Sequence, residues 1–274
     1  MNKFKVAAIQ MPISIDKMKN IDTVKQYLDK LKNQSIDFIV LPEMFCCPYK
    51  TENFPIYAEM ENEEIYNYIS QYAKEYNVYI IAGSMPEKDE NNKIFNTSYV
   101  FNKNGEKIAK HRKAHLFDIN IKGGQQFKES DTLSTGDSYT TFDTEFGKMG
   151  VCICYDIRFP EMIRSMAIDG AKMVFVPAAF NMTTGPAHWE ISFRTRALDN
   201  QIYMLGCAPM RDSSLGYTSF GHSILTNPWG KIENMLDEKE GVLIADIDFD
   251  YEEQIREQLP LLKHIRYNIY KKGI

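Results

Sequence analysis

The chain predicts an α/β fold: two mixed sheets packed face to face, with helices outside each. Strand and helix signals alternate along all 274 residues, and hairpin turns interrupt the alternation. The strand signals number close to a dozen, and an open sheet that wide tends to split into two packed layers. Two sheets with outer helices then bury every apolar face. Hairpins among strand–helix units require sheets that are mixed rather than purely parallel.

Taken in order, residues 4–11 and 36–41 read as strands, separated by an amphipathic helix near 17–33. Residues 62–76 place Ile65, Tyr68, Ile69, Tyr72, Ala73 and Tyr76 at spacings of three and four, the apolar face of a helix. Strands follow at VYIIAGS (78–84), TSYVFN (97–102) and GEKIAKHRK (105–113), with Asn104-Gly105 as a hairpin turn. An apolar run leads into Cys154, after which 159–169 reads as helix and MVFVPAAF (173–180) as a buried strand. A charge-rich helix at 187–200 precedes the strand YMLGCAPM (203–210). Residues 222–236 form a second hairpin turning at Asn227-Pro228-Trp229-Gly230, and VLIADID (242–248) is the last strand. No repeat, low-complexity tract or linker divides the chain. Residues 1–274 are therefore expected to form one domain, with 260–274 a tail of aromatic and basic residues.

Composition narrows the function. With 44% hydrophobic and 25% charged residues the chain reads as an ordinary soluble globular protein. No run approaches the roughly 18 apolar residues of a membrane helix, and residues 4–11 enter a strand with no apolar leader, so a cytoplasmic protein is expected. A net charge of −5 argues against nucleic-acid binding but leaves room for a small anionic substrate. Cys46, Cys47, Cys152, Cys154 and Cys207 are an odd set without scaffold spacing, expected to stay reduced. Cys152-x-Cys154 is too tight for a zinc clip, and adjacent Cys46-Cys47 supplies no second one.

Three windows carry chemistry. In GVCICYDIRFPE (150–161), Cys154 sits between a strand and a helix. Such a turn exposes a side chain beside free backbone N–H groups, useful to an acyl-transfer nucleophile. A buried structural cysteine would look the same, and Cys152 shares its face if the strand runs on. In DFIVLPEMF (37–45), the buried strand Phe38–Leu41 runs through Pro42 into Glu43. A carboxylate there is costly unless paired or put to use. In KIAKHRKAHLFD (107–118), a short amphipathic strand is followed by the cluster Lys110, His111, Arg112, Lys113 and His115, which also fits a solvated basic patch. Arg158, four residues after Cys154, stands one helical turn on if the segment is helical. From there a guanidinium can grip a carboxylate in bidentate fashion, although an ordinary helix-surface arginine would look the same.

Together these windows resemble the nitrilase superfamily of carbon–nitrogen hydrolases, whose triad of Glu, Lys and Cys matches Glu43, Lys113 and Cys154 in chain order. The resemblance covers the chain from KVAAIQM (5–11) to VLIADID (242–248). Within it, the stretches 127–137, 180–201 and 220–230 look like the ω-amidase branch. The resemblance implies a four-layer αββα sandwich and selects Cys154 over Cys152. It gives Glu129 a role in holding the lysine or assisting the base. Arg158 would hold the substrate's α-carboxylate, with Phe180 in the pocket wall. Tyr49 and Thr183 are further pocket candidates, whereas His188 and Trp189 read as core. It also implies self-association through a surface around 159–200, as a homodimer or higher homo-oligomer, with the tail reaching a neighbouring subunit. No metal or organic cofactor is required.

The expected chemistry follows from the triad. A thiol with a pKa near ~8.5 needs activation; Glu43 serves as general base and the charge of Lys113 favours the thiolate. The Lys113 ammonium and the Tyr155 backbone N–H would stabilise the oxyanion, each such donor being worth roughly 2.7–4 kcal/mol. The leading expectation is hydrolysis of the terminal amide of a short α-keto-acid ω-amide, such as 2-oxoglutaramate or 2-oxosuccinamate. A related amidase acting on deaminated glutathione or N-carbamoyl amines is the nearest rival. From another class, a thiol sensor would need Cys154 but neither Glu43 nor Lys113.

Overall fold

The computed structural model describes residues 2–122 and 126–270. Its strands are β1 (Lys3–Gln10), β2 (Phe38–Val40), β3 (Tyr79–Ile81), β4 (Met85–Lys88), β5 (Ile94–Phe101), β6 (Lys107–Arg112), β7 (Asp118–Asn120), β8 (Gln126–Lys128), β9 (Thr140–Thr144), β10 (Gly147–Val151), β11 (Met173–Pro177), β12 (Tyr203–Cys207), β13 (Ile224–Thr226), β14 (Ile232–Met235) and β15 (Gly241–Asp248). The helices are α1 (Lys17–Leu31), α2 (Phe54–Tyr57), α3 (Glu64–Tyr76), α4 (Pro160–Ile168), α5 (Gly185–Asn200) and α6 (Phe249–Gln258).

One sheet runs β15-β1-β2-β3, after which β5 carries β3 and β4 along one edge and β6 on the other. The second runs β14-β13-β12-β11-β10-β9. Both are mixed. In the first, β1, β2 and β3 are parallel and β15 is antiparallel to β1 over eight pairs, from Lys3 opposite Asp248 to Gln10 opposite Gly241. In the second, β10, β11 and β12 are parallel and the flanking strands antiparallel.

Period-two alternation sorts each strand between two cores. Val6, Ala8, Phe38 and Val40 meet Val151, Phe175, Leu205 and Leu225 between the sheets. Ala7, Ile9, Ile39 and Ile80 face outward, where Val24 and Leu28 of α1 and Ile69 and Tyr72 of α3 cover them. Val174, Val176 and Met204 face the other way, against α4 and α5 through Ile163, Trp189 and Phe193. The layers are helix, sheet, sheet, helix, as the sequence implies. Among the described residues no helix is long and apolar enough to cross a membrane, and all five cysteines are free and buried.

Close packing of the outer layer depends on Gly206 in β12. A Cβ there would stand 2.4 Å from the Phe193 ring of α5. Gly206→Ala is expected to cost about 1–3 kcal/mol by overpacking. A lower urea midpoint at unchanged m value would register it, and an unchanged midpoint would mean that α5 shifts freely on the sheet.

Three strand pairings escape the sequence reading. β4 (MPEK) contains a proline and pairs with β5 alone among the named strands, a place where the missing N–H is tolerated. β9 (TTFDT) is too polar to register as a strand, yet it closes the edge of β10. The short β7–β8 ladder is mostly exposed and leads into Glu129.

Candidate active site

Each parallel strand ends at the same end of its sheet, and β6, antiparallel to β5, runs the same way as β2 and β3. Glu43, Lys113, Cys154 and Ala179 all lie just beyond the C-terminal ends of such strands, where open α/β sheets gather their ligands.

Past β2, Leu41 N–H still donates to Ile81 O (3.1 Å), but Pro42 cannot continue the ladder. The chain turns through Met44 at φ 52°, pinned where Met44 N–H donates to Ser84 Oγ (3.0 Å), and Glu43 is carried inward. The strand period then divides the basic cluster. Arg112 grips Glu87 with both Nε (2.9 Å) and Nη2 (2.8 Å), and Lys110 pairs with the same carboxylate. His111 and Lys113, at the alternate positions, are both buried. β10 stops at Val151, and Cys154 occupies the left-handed region at φ 47°, opening a short 3-10 turn through Arg158. A non-glycine residue held there is strained, a cost associated with functional sites.

The three windows converge. Lys113 Nζ lies 2.9 Å from Glu43 Oε1 and 2.9 Å from Glu129 Oε1, with all three side chains fully buried. Glu43 also accepts from Asn96 Nδ2 (2.9 Å) and, through Oε2, from Ala179 N–H (2.8 Å). Glu129 accepts from Phe117 N–H (2.7 Å) and from the Tyr49 hydroxyl (2.5 Å), which stands 3.3 Å from Glu43. Cys154 lies close enough to Glu43 and Lys113 for both charges to act on its thiol.

Electrostatics follow from two carboxylates around one ammonium. Burial alone would discharge Lys113, but Glu129 and Glu43 outweigh it and hold the lysine charged. Burial and the charge of Glu129 push Glu43 up, against the pull of Lys113, making it a stronger base. Burial and Glu43 push the Cys154 thiol well up, so it rests protonated. Here the expectation of a lysine-favoured thiolate needs amending: Lys113 does pull the thiol down, but burial and Glu43 win.

The remaining candidates divide. Tyr155 packs its ring edge-on to Phe117 and Phe159, and its N–H belongs to the first turn of the 3-10 segment. Arg158 lies 4.7 Å over the Phe180 ring, and its Nη1 stands 3.0 Å from His188 Nδ1. Among the described residues no carboxylate pairs with Arg158, and its buried Nε has no hydrogen-bond partner. Thr183 is exposed and gives only its backbone N–H, to Asn181 (3.0 Å); buried Thr184 makes the hydroxyl contact. Trp189 is core as expected, but His188 is exposed on the first turns of α5 beside Arg158.

Two contributors were not read from sequence. Tyr217 donates its hydroxyl to Ala179 O (2.5 Å) and packs its ring 4.6 Å from Tyr49, tethering the residue whose own N–H orients Glu43. Its loop carries no periodic signal. Asp156 is fully buried two residues after Cys154 and accepts from both His111 and His115. A buried Asp in a helix-opening turn after a nucleophile was the available clue.

Residues 5–257 match the Carbon-nitrogen hydrolase family. The chain is 42% identical over 270 residues to Omega-amidase NIT2 of Homo sapiens, covering 98% of each. It is 43% identical to Omega-amidase NIT2 of Xenopus tropicalis, again over 98% of each. Among solved structures it is similar to Saccharomyces cerevisiae Nit3, a member of branch 10 of the nitrilase superfamily, at a TM-score of 0.90 and 38% identity, covering 98% of this chain and 97% of that one.

Proposed function

Because this chain belongs to the carbon–nitrogen hydrolase family, we infer that it is an ω-amidase: it hydrolyses the terminal amide of short α-keto-acid ω-amides to the dicarboxylate and ammonia. The observation that carries the catalytic half is the buried Glu43–Lys113–Glu129 cluster against Cys154. The relatives' names and the unpaired guanidinium of Arg158 support the substrate half.

In this reading Glu43 removes the Cys154 proton as Sγ attacks the amide carbon, so a thiolate forms only as it is consumed. The Lys113 ammonium and the Tyr155 N–H meet the developing oxyanion. Glu43 returns its proton to the amide nitrogen, the C–N bond breaks and ammonia leaves the thioester. A water deprotonated by Glu43 then attacks the same carbon, and the thiol is restored with the acid. Glu129 and Tyr49 hold Lys113 charged and oriented throughout. A second carboxylate beside the lysine also keeps the site dependent on it: Glu129→Gln is expected to lower kcat about 10- to 100-fold, the usual penalty for loosening a group that orients a ligating or catalytic side chain. Steady-state ammonia release reads it, and an unchanged kcat would leave Glu129 a structural acid.

We further assign the chain to one catalytic domain that self-associates. Support comes from Ile191 and Leu198, which stand exposed on α5 with the exposed Trp229 on a turn packed nearby. The 3-10 turns Leu261–His264 and Tyr267–Ile269 of the tail bury no residue, and residues 271–274 lie outside those described. Five free thiols fit the reducing cytoplasm. The deciding experiment is ammonia release across a panel of ω-amides, N-carbamoyl amines and deaminated glutathione. Preference for 2-oxoglutaramate or 2-oxosuccinamate is expected, and preference for a carbamoyl amine would overturn the substrate assignment.

A further inference from the structure

We propose that Asp156 is a positioning residue: its buried carboxylate locks the loop carrying Lys113 to the turn carrying Cys154 and so sets where the ammonium stands relative to the thiol. This rests on the assignment of Lys113 and Cys154 above. Asp156 receives four hydrogen bonds from two chain segments. Ile153 N–H donates to Oδ2 (3.0 Å) from its own turn. From the segment around Lys113, His111 Nε2 of β6 reaches Oδ2 (3.0 Å), and His115, past the strand, gives both its backbone N–H (2.9 Å) and Nδ1 (2.8 Å) to Oδ1.

The two histidines straddle Lys113 at two residues on either side, so one carboxylate fixes both flanks of the lysine. An ionised carboxylate only accepts, which requires a proton on His111 Nε2 and on His115 Nδ1. The outer contacts repeat the arrangement. His111 Nδ1 rests on Thr140 Oγ1 of β9 (3.0 Å), and the His115 ring stacks on Phe159, just past the cysteine turn, at 3.6 Å. Burial alone would neutralise Asp156, but His111 and His115 hold it ionised, far below the usual carboxylate range. None of these groups touches Glu43 or Glu129, so the clamp is separate from the acids that neutralise Lys113.

Asp156→Asn keeps the shape but turns an NH2 toward donors. Misplacing the ammonium by about 1 Å is expected to lower kcat on the order of 100-fold with KM nearly unchanged. The discriminating readout is the rate at which iodoacetamide labels Cys154, resolved peptide by peptide. Removing a nearby negative charge would by itself favour the thiolate and speed labelling. Displacing Lys113 removes the group that lowers the thiol pKa, and is expected to slow labelling about tenfold, as Lys113→Met should. Should Asp156→Asn not fold, His115→Ala, at a half-buried position, carries the same test with about a tenfold loss of kcat. Faster or unchanged labelling in the folded variant, or an unchanged kcat in either, overturns the proposal. If the parent releases no ammonia from any amide, the functional assignment fails instead, and the labelling rates still decide on Asp156.

Discussion

Cys154→Ala is expected to leave a folded protein whose turnover falls by roughly 10⁵–10⁶, the scale seen when a nucleophile acting within a catalytic unit is removed. Little cavity forms, since only the sulfur atom is lost. Glu43→Gln should match it in kcat, because the amide keeps the side-chain volume but cannot take the thiol proton. Lys113→Ala should be as inactive and also less stable by about 3–5 kcal/mol, since two buried carboxylates then face each other without a cation. Cys152→Ala is the control. Cys152 is fully buried beyond the end of β10, and its loss should cost about 1 kcal/mol of stability with turnover retained. An acyl adduct trapped on Cys152 by mass spectrometry, or turnover in Cys154→Ala, would sink the nucleophile assignment.

Arg158→Lys should cost about 10- to 150-fold in kcat/KM on 2-oxoglutaramate, the equivalent of losing about 1.5–3 kcal/mol of charge-assisted hydrogen bonding. The charge is kept, but the planar fork that matches a carboxylate is lost, as is the guanidinium's contact over the Phe180 ring. Amides without a distal carboxylate should be poor substrates for the parent and barely affected by the change. The contrast between the two substrate classes is the measurement. Equal losses on both would mean that Arg158 supports the turn rather than reads the substrate, and no loss on either would end the ω-amide assignment while leaving the thiol chemistry intact.

How far the sequence reaches can be seen residue by residue. Cys154 and Glu43 stood out as candidates because polar groups at the ends of buried strands are costly unless used, though only the family resemblance separated Cys154 from Cys152. Lys113 was not separable from its basic neighbours by composition. The resemblance named it, and the strand period, which turns Lys110 and Arg112 toward Glu87 and Lys113 inward, gives the physical reason. Glu129 carried no signal of its own, because the short ladder that leads into it, β7–β8, has almost no apolar pattern. His188 was misread as core because a histidine beside a buried tryptophan at a helix start gives no hint of which face it takes. Tyr217 and Asp156 act through partners distant in sequence, Ala179 and the two histidines, and such pairings appear only once the chain has folded. The large strands were plain, while β4 and β9 were hidden by proline and threonine.

The pairing of β1 with β15 has a consequence for how the molecule comes into being. Lys3 waits for Asp248, and Gln10 for Gly241. During synthesis β1 emerges before the other described strands, while β15, which seals one of its edges, emerges after them all. Until then that edge offers unpaired backbone groups to any neighbouring nascent chain, a recognised route to misassembly. Contacts spanning so much of the chain also slow the search for the native arrangement. The second sheet, β9 to β14, draws on one continuous stretch of sequence and escapes this delay. The Cys154 half of the centre can thus take shape first, while the sheet that presents Glu43 and Lys113 is completed only when β15 emerges.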